Sequence, residues 1–186
     1  MDEGWVGNPI FIHAMSPRHN DSRFKRLREA DGGVFGRGGY GEVFQGYDER
    51  RQEMVSIKRQ CLGSASGKEA ACFTMLQAFP HPNIVRMLCM WTATFDNNEY
   101  FYIATEVCST NLWNYIGVGN PNMRDEFKQS CVPQQLWLPI MSAVGHLHSL
   151  GVVHGDCSLS NILLTVSGEV RLGRLRSGDC TYLFCE

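Results

Sequence analysis

The sequence carries a glycine-rich stretch that reads Gly36-Arg37-Gly38-Gly39-Tyr40-Gly41-Glu42-Val43. It fits the pattern G-x-G-x-x-G-x-V, in which glycines let the backbone approach a phosphate group without interference from side chains. Glycine-rich hairpins are common, so the pattern is weak when it stands alone. The residues after Val43 look like a strand, whereas a dinucleotide-binding fold needs a helix there. We therefore expect two strands joined by a loop that covers a phosphate group.

A second stretch, Val55-Ser56-Ile57-Lys58, has the alternation of a strand. Residues two apart share one face of a strand, so Ser56 and Lys58 point to one side and Val55 and Ile57 to the other. A lysine on such a strand is most often solvated. Because a glycine-rich loop precedes this V-x-I-K stretch, we interpret Lys58 instead as a phosphate-binding residue.

A third stretch reads His154-Gly155-Asp156-Cys157-Ser158-Leu159-Ser160-Asn161 and precedes an apolar run at residues 162–164. Aspartate and asparagine are ordinary loop residues, and neither is informative by itself. Their spacing here, between a predicted helix and a predicted strand, is difficult to attribute to chance. Asp156 and Asn161 are therefore candidate functional residues.

Together with His81-Pro82-Asn83-Ile84-Val85, these stretches resemble a eukaryotic protein kinase, and within that group a cyclin-dependent kinase of the Ser/Thr type. The resemblance covers about residues 24–176. It implies an α+β, protein-kinase-like fold: a five-stranded antiparallel N-lobe with one helix, and an incomplete, mainly helical C-lobe. We expect an N-terminal tail at 1–22 and a kinase-like domain at 23–186, with the N-lobe at about 23–108 and the partial C-lobe at about 109–186.

Periodicity predicts the helices and two further strands. One helix is expected near residues 66–79, where apolar residues recur at helical spacing: Cys72, Met75, Leu76 and Phe79. A second is expected at about 134–150, with an apolar face formed by Leu136, Ile140, Val144 and Leu147. Strands are expected at about 84–95 and 99–107. Since the sequence stops soon after the second helix, we expect that apolar face to have few partners.

The resemblance implies ATP as the ligand. The run at residues 102–108 resembles the hinge that hydrogen-bonds adenine, with Thr105 as gatekeeper and Glu106 and Cys108 offering backbone groups. The implied nucleotide-binding residues are Gly36, Arg37, Gly38, Gly39, Tyr40, Gly41, Val43, Ser56, Lys58, Thr105, Glu106 and Cys108.

Kinases pair the strand lysine with a glutamate on the following helix. The commonest family spacing before His81 leads to Cys72, which cannot form an ion pair, whereas a longer helix-to-strand connection leads to Glu69. We favour Glu69. It could also be only an acid in the first helical turn, where the helix dipole favours negative charge. A cyclin-like or other regulatory protein is an implied partner, although residues 64–69 keep only Ser66 and Glu69 of the cyclin-contacting motif.

The resemblance assigns Asp156 as the catalytic base, beside Lys58 and Glu69, and Asn161 as a ligand of Mg²⁺. The sequence departs from the family at three nearby positions. Gly155 replaces an arginine that would hold a phosphorylated activation loop, and Ser158 replaces the lysine that steadies the γ-phosphate. Arg174 stands where the metal-binding aspartate of D-F-G belongs, and a cation there repels Mg²⁺. Asp179 would need a rebuilt loop to substitute.

These departures predict an ATP-binding domain with impaired catalysis, a pseudokinase or a truncated product, which acts by nucleotide or protein binding. The alternative is an active Ser/Thr protein kinase, present as a fragment, that transfers the ATP γ-phosphate to protein substrates. Loss of a metal ligand and a phosphate-binding lysine matters because this chemistry depends on positioning and charge stabilisation.

Composition and charge limit the classes of partner that the sequence predicts. The net charge of −2 and the mixed charge order give no electrostatic footprint for nucleic acid or an anionic membrane. No segment has the roughly 18 apolar residues that a membrane span needs. The eight cysteines include no C-x-x-C pair, which disfavours a zinc site and predicts reduced thiols in an intracellular protein, cytoplasmic or nuclear.

Overall fold

The computed structural model describes residues 12–14, 20–21, 23–26, 34–38, 41–95, 97–117 and 132–173. The chain divides into two compact units. The first unit comprises Met1–Phe73 and Met87–Val107, and the second comprises Thr74–Arg86 and Cys108–Glu186. Gly39, Tyr40, Arg174 and Asp179 lie outside the described residues.

Within its described residues, the first unit contains one antiparallel sheet. Its strands are β1 (Ile12–Ala14), β2 (Asn20–Asp21), β3 (Phe24–Arg26), β4 (Val34–Gly38), β5 (Gly41–Asp48), β6 (Glu53–Cys61), β7 (Met87–Phe95) and β8 (Asn98–Glu106). They pair in the order β2-β1-β7-β8-β6-β5-β3, and β4 also pairs with β5.

The sheet corrects the predicted strand count. Strands β4–β8 correspond to the five that we expected, while β1, β2 and β3 are two or three residues long. Such short strands show no alternation and are formed by backbone hydrogen bonds, so periodicity cannot reveal them. Strands β1 and β2 fall within the segment that we expected to be a tail, and the boundary at residue 23 stays a prediction.

Aromatic side chains dominate the core of the first unit. The Trp91 ring stacks on Phe24, with centroids 5.0 Å apart, and on Tyr102, with centroids 5.2 Å apart. Each such pair contributes about 0.5–1.5 kcal/mol beyond the burial of area. Along β5 and β6 buried and half-buried residues alternate, which places Phe44 and Ile57 in the same core.

Helix α1 spans Ser64–Ala78, close to the predicted range. Cys72 and Leu76 are buried, as a core-facing stripe requires. Phe79 was wrongly included in that stripe, because it lies beyond the helix end and is 56% exposed. The helix ends just before Pro80, and a proline disfavours the helical conformation of the preceding residue.

The second unit contains short strands and helices, namely β9 (Thr110–Asn111), α2 (Leu112–Ile116), α3 (Val132–Ser149), β10 (Ile162–Leu164) and β11 (Val170–Leu172). Its sheet has the order β11-β10-β9. The segment after α1 joins this unit through Leu172, whose N–H donates to Asn83 O and whose carbonyl accepts from Val85 N. None of the helices in the described ranges is long and apolar enough to span a bilayer.

The expectation that the apolar face of helix α3 would have few partners was wrong. Ile140 and Leu147 are fully buried, at 5% and 0% exposure, and Leu136 and Val144 are half-buried. Helix α3 contacts β11, and hydrogen bonds link it to the segment at 79–86; the sequence pattern connects neither of these with α3. The exposed apolar side chains of this helix are instead Trp137, Leu138 and Met141.

Candidate functional site

The glycine-rich stretch forms a hairpin of β4 and β5. Gly36 pairs with Val43, and Gly38 pairs with Gly41. Gly41 has a positive φ of 106°, and a Cβ at this position would overlap the carbonyl oxygen of Arg59. Glycine is therefore required where the hairpin meets β6, because only a residue without a side chain allows this approach.

An ion pair that the sequence analysis missed links the hairpin to β6. Glu42 and Arg59 stand opposite each other in the β5–β6 register, and Arg59 Nη2 lies 2.7 Å from Glu42 Oε2. The Arg59 guanidinium also lies over the ring of Tyr100, 4.9 Å from its centroid. The sequence did offer one indication of this pair: an acidic residue, Glu42, directly follows Gly41, and a basic residue, Arg59, directly follows Lys58. The pair anchors the hairpin beside Lys58.

Lys58 forms an ion pair with Glu69. The Nζ atom lies 2.6 Å from Glu69 Oε1, and Val43 stands opposite Lys58 on the neighbouring strand. Cys72, the other candidate, is buried further along α1. Because α1 begins at Ser64, Glu69 lies beyond the first turn, so the alternative explanation through the helix dipole is wrong. The geometry matches a lysine held ready for phosphate.

The predicted hinge residues lie at the end of β8 and just after it. Thr105 stands opposite Ser56, and Glu106 stands opposite Val55, across the β6–β8 ladder. Both are half-buried, and Cys108 is half-buried in the second unit. Thr105 Oγ1 donates to the carbonyl of Glu106 at 3.3 Å. The sheet thus places Ser56 beside the expected gatekeeper.

Hydrogen bonds hold the loop at 154–161 in one conformation. The buried His154 donates from Nε2 to Gly173 O at 2.8 Å and accepts from Asp156 N at Nδ1. Burial lowers the pKa of His154, although the bond to Gly173 and the charge of Asp156 act in the opposite direction. Asn161 Nδ2 donates to Asp156 O at 2.9 Å, and Gly173 N donates to Asn161 O. Asp156 and Asn161 are therefore fixed relative to each other.

The two family departures in this loop have clear local structure. Gly155 is exposed and has a positive φ of 74°, a conformation that favours glycine over the arginine of the family pattern. Ser158 is exposed, and its hydroxyl lies 3.0 Å from that of Ser160. Neither residue supplies positive charge.

The candidate site residues suit the binding of a nucleotide, and they offer few ligands for a metal ion. The glycine hairpin and the Lys58–Glu69 pair suit phosphate, as described above. Asn161 uses its amide N–H within the loop, so the amide oxygen is the group that it could offer to Mg²⁺. Among the described residues, no cluster of three His, Cys, Asp or Glu side chains could hold a metal ion. Five cysteines fall in this part of the chain, and all five are free thiols.

The sequence is similar to a protein-family model and to several known proteins. The protein kinase domain family model matches residues 30–174. The chain is 36% identical over 149 residues to human serine/threonine-protein kinase/endoribonuclease IRE2, covering 78% of this chain and 15% of that protein. It is 28% identical over 174 residues to rat cyclin-dependent kinase 11B, covering 89% of this chain and 36% of that protein.

A third relative is the membrane-associated tyrosine- and threonine-specific cdc2-inhibitory kinase wee-1.3 of Caenorhabditis briggsae. The identity is 27% over 145 residues, covering 75% of this chain and 20% of that protein. The chain thus spans between 15% and 36% of the length of these three relatives. Because they differ in kind, the comparison does not single out the cyclin-dependent type.

Proposed function

Because the chain belongs to the protein kinase domain family, we propose that it is a nucleotide-binding domain of Ser/Thr kinase type with impaired phosphoryl transfer. It acts by binding ATP or ADP, or by binding another protein. The observation that carries the proposal is the Lys58–Glu69 ion pair at 2.6 Å, next to a glycine hairpin, in a chain that lacks charge at Ser158. Compared with the family pattern, the chain retains the residues that bind nucleotide and lacks a charged residue that phosphoryl transfer uses.

The proposed phosphate-binding groups belong to the first unit. ATP would supply a chain of phosphates, whose oxygens Lys58 neutralises while Glu69 orients the lysine. The backbone at Gly36, Gly38 and Gly41 would approach the phosphates because glycines leave room. By the resemblance, Glu106 and Cys108 would offer backbone groups to adenine.

Impaired transfer follows from the loop at 154–161 and from Arg174. Phosphoryl transfer needs positive charge around the γ-phosphate and a metal held by carboxylate. Ser158 is neutral and is paired with Ser160. Arg174, by the resemblance, replaces the carboxylate with a cation. Together these changes should lower the rate by several orders of magnitude.

An active Ser/Thr kinase that transfers the ATP γ-phosphate to protein substrates remains the second candidate. Asp156 and Asn161 are both kept and are held together by the 2.9 Å hydrogen bond, which favours this candidate. In that case Asp156 accepts the proton of the substrate hydroxyl. A cyclin-dependent type, a cyclin-like partner and an intracellular location belong to this proposal and rest on the resemblance alone.

Nucleotide binding is tested by thermal unfolding with ATP or ADP, with and without Mg²⁺. We expect stabilisation that needs little or no Mg²⁺ and that is smaller in Lys58→Met, because binding weakens without the lysine. Lys68→Met is the matched control, since Lys68 is an exposed lysine on α1. A strict requirement for Mg²⁺, or equal binding by Lys58→Met and the unmodified chain, would contradict this proposal.

Transfer is tested separately with radiolabelled ATP and generic Ser/Thr substrates. We expect no labelled product, with or without a cyclin. Label that appears with the unmodified chain and disappears in Asp156→Asn would establish the second candidate instead.

A further inference from the structure

The two carboxylate oxygens of Glu69 are held by two different residues of one strand. Lys58 Nζ lies 2.6 Å from Oε1, and the amide Nε2 of Gln60 donates to Oε2. Lys58 and Gln60 are two residues apart on β6, so they share a face of the sheet and both meet α1. Glu69 is buried, which makes a partner for each oxygen important.

The second hydrogen bond restricts how Glu69 can receive Lys58. A carboxylate that has both oxygens available can turn and accept two bonds from one ammonium group. The hydrogen bond from Gln60 holds Oε2 in place, and Glu69 meets Lys58 through Oε1. An ammonium has three donors, so the remaining donors of Lys58 stay available for another acceptor.

We propose that Gln60 is a positioning residue for nucleotide binding, which acts through Glu69 on Lys58. It fixes the carboxylate so that Lys58 is oriented by one oxygen and keeps donors for the phosphates. This inference rests on the proposed nucleotide binding. The neutrality of Gln60 is part of the argument, because a cation at this position would compete with Lys58 for Glu69, and an acid would repel Glu69.

The first test compares nucleotide affinity in Gln60→Met, which keeps the length of the side chain and removes the donor. A hydrogen bond to a charged group supports an effect of about tenfold on the dissociation constant of Mg²⁺-free ADP. In the Lys58→Met background the same change should have no effect, because the residue through which Gln60 acts is gone. Gln135→Met, an exposed glutamine on α3, is the control.

Two results would overturn the positioning role even though nucleotide binds and Lys58→Met weakens that binding. One is an unchanged dissociation constant in Gln60→Met. The other is an equal loss in the presence and absence of Lys58, which would assign Gln60 a merely structural role.

Gln60→Glu provides a second readout with nearly the same shape. Two facing carboxylates share a proton more readily as pH falls. The loss of ADP affinity relative to the unmodified chain at the same pH should therefore be larger at pH 8 than at pH 6. A loss independent of pH contradicts the proposed contact with Glu69.

A third measurement applies even if the unmodified chain fails to bind nucleotide, a result that would reject the proposed function. The melting temperatures of Gln60→Met, Glu69→Ala and the double variant form a cycle without ligand. We expect the double variant to lose less than the sum of the single losses. Additive losses would show that Gln60 does not hold Glu69, and would reject this inference independently.

Discussion

The imidazole rings of His81 and His146 stack with their centroids 4.8 Å apart and an angle of 29° between their planes. His81 accepts from Asn83 N at Nδ1 and lies 3.1 Å from Ser142 Oγ at Nε2. His146 Nε2 lies 2.9 Å from Phe79 O. Both rings therefore link the segment that follows α1 to helix α3, within the second unit.

This relationship predicts that acid destabilises the second unit. Burial, and then the neighbouring His146, lower the pKa of His81 below its usual 6.5, and burial lowers the pKa of His154. The unfolded chain therefore binds protons more readily than the folded chain. The stability from these neutral rings is complete above about pH 6.5 and is lost as pH falls through the folded pKa values.

Denaturant unfolding between pH 5 and pH 8 measures this dependence. His81→Gln should flatten the curve, because the replacement does not titrate. His148→Gln is the matched control, since His148 is an exposed histidine on α3. A pH dependence that survives His81→Gln unchanged would remove His81 from the explanation.

Two glycine-to-alanine substitutions are expected to have opposite signs. Gly41→Ala should destabilise the first unit by at least about 1–2 kcal/mol, because φ is positive and the new Cβ would overlap Arg59. Gly67→Ala should stabilise α1 by about 0.5–1 kcal/mol, because nothing lies within 4 Å of the added atom. Chemical denaturation gives both values. Effects of the same sign would contradict the prediction.

Asp48 should be among the most sensitive positions of the first unit. It is fully buried, and its carboxylate forms a two-bond ion pair with Arg23 at 2.8 and 2.5 Å. It also accepts the N–H groups of Arg50 and Arg51. Removing one partner of a buried pair costs about 3–5 kcal/mol, so Asp48→Ala should unfold at much lower denaturant concentration.

Glu53→Ala serves as the comparison for Asp48→Ala. Glu53 forms a more exposed ion pair with Arg51 at 3.6 Å. Such surface pairs contribute about 0–1 kcal/mol. Losses of similar size in the two variants would mean that the Arg23–Asp48 pair is not the stabilising feature.

Pro139 lies inside α3 and should weaken it. Proline cannot donate the hydrogen bond that the carbonyl of Gln135 would accept, and its ring crowds that carbonyl. Pro139→Ala should stabilise α3 by up to about 3 kcal/mol. Amide hydrogen exchange of α3 should slow accordingly, whereas Pro82→Ala, in an exposed turn, should leave it unchanged. Unchanged or faster exchange in Pro139→Ala would show that α3 already accommodates the proline.

The sequence predicted the features that depend on local patterns. The two long helices and the long strands follow from periodicity, whereas the candidates Lys58 and Glu69 follow from the resemblance to protein kinases. The exposed Phe79 was wrongly assigned to the apolar stripe of α1, because its position fits the helical period of 3.6 residues although the helix ends before Pro80.

Contacts between distant residues were not accessible from the sequence. Nothing in the spacing of His81 and His146 indicates that their rings stack. Likewise, Gln60 is not part of any sequence motif that would predict its contact with Glu69. The contacts of α3 with β11 and with the segment at 79–86 were likewise missed, since those segments lie far from α3 in the sequence. These relationships depend on the tertiary arrangement, which single-sequence patterns do not encode.

The enclosed position of Trp91 gives the first unit an intrinsic optical probe. Trp91 has 0% exposure between Phe24 and Tyr102, whereas Trp113 and Trp137 of the second unit are 51% and 60% exposed. A collisional quencher such as acrylamide therefore reaches the two exposed indoles first. The emission of Trp91, which such a quencher reaches poorly, reports on the sheet of the first unit. With the other tryptophans replaced by phenylalanine, fluorescence can follow the assembly of this sheet without any attached dye.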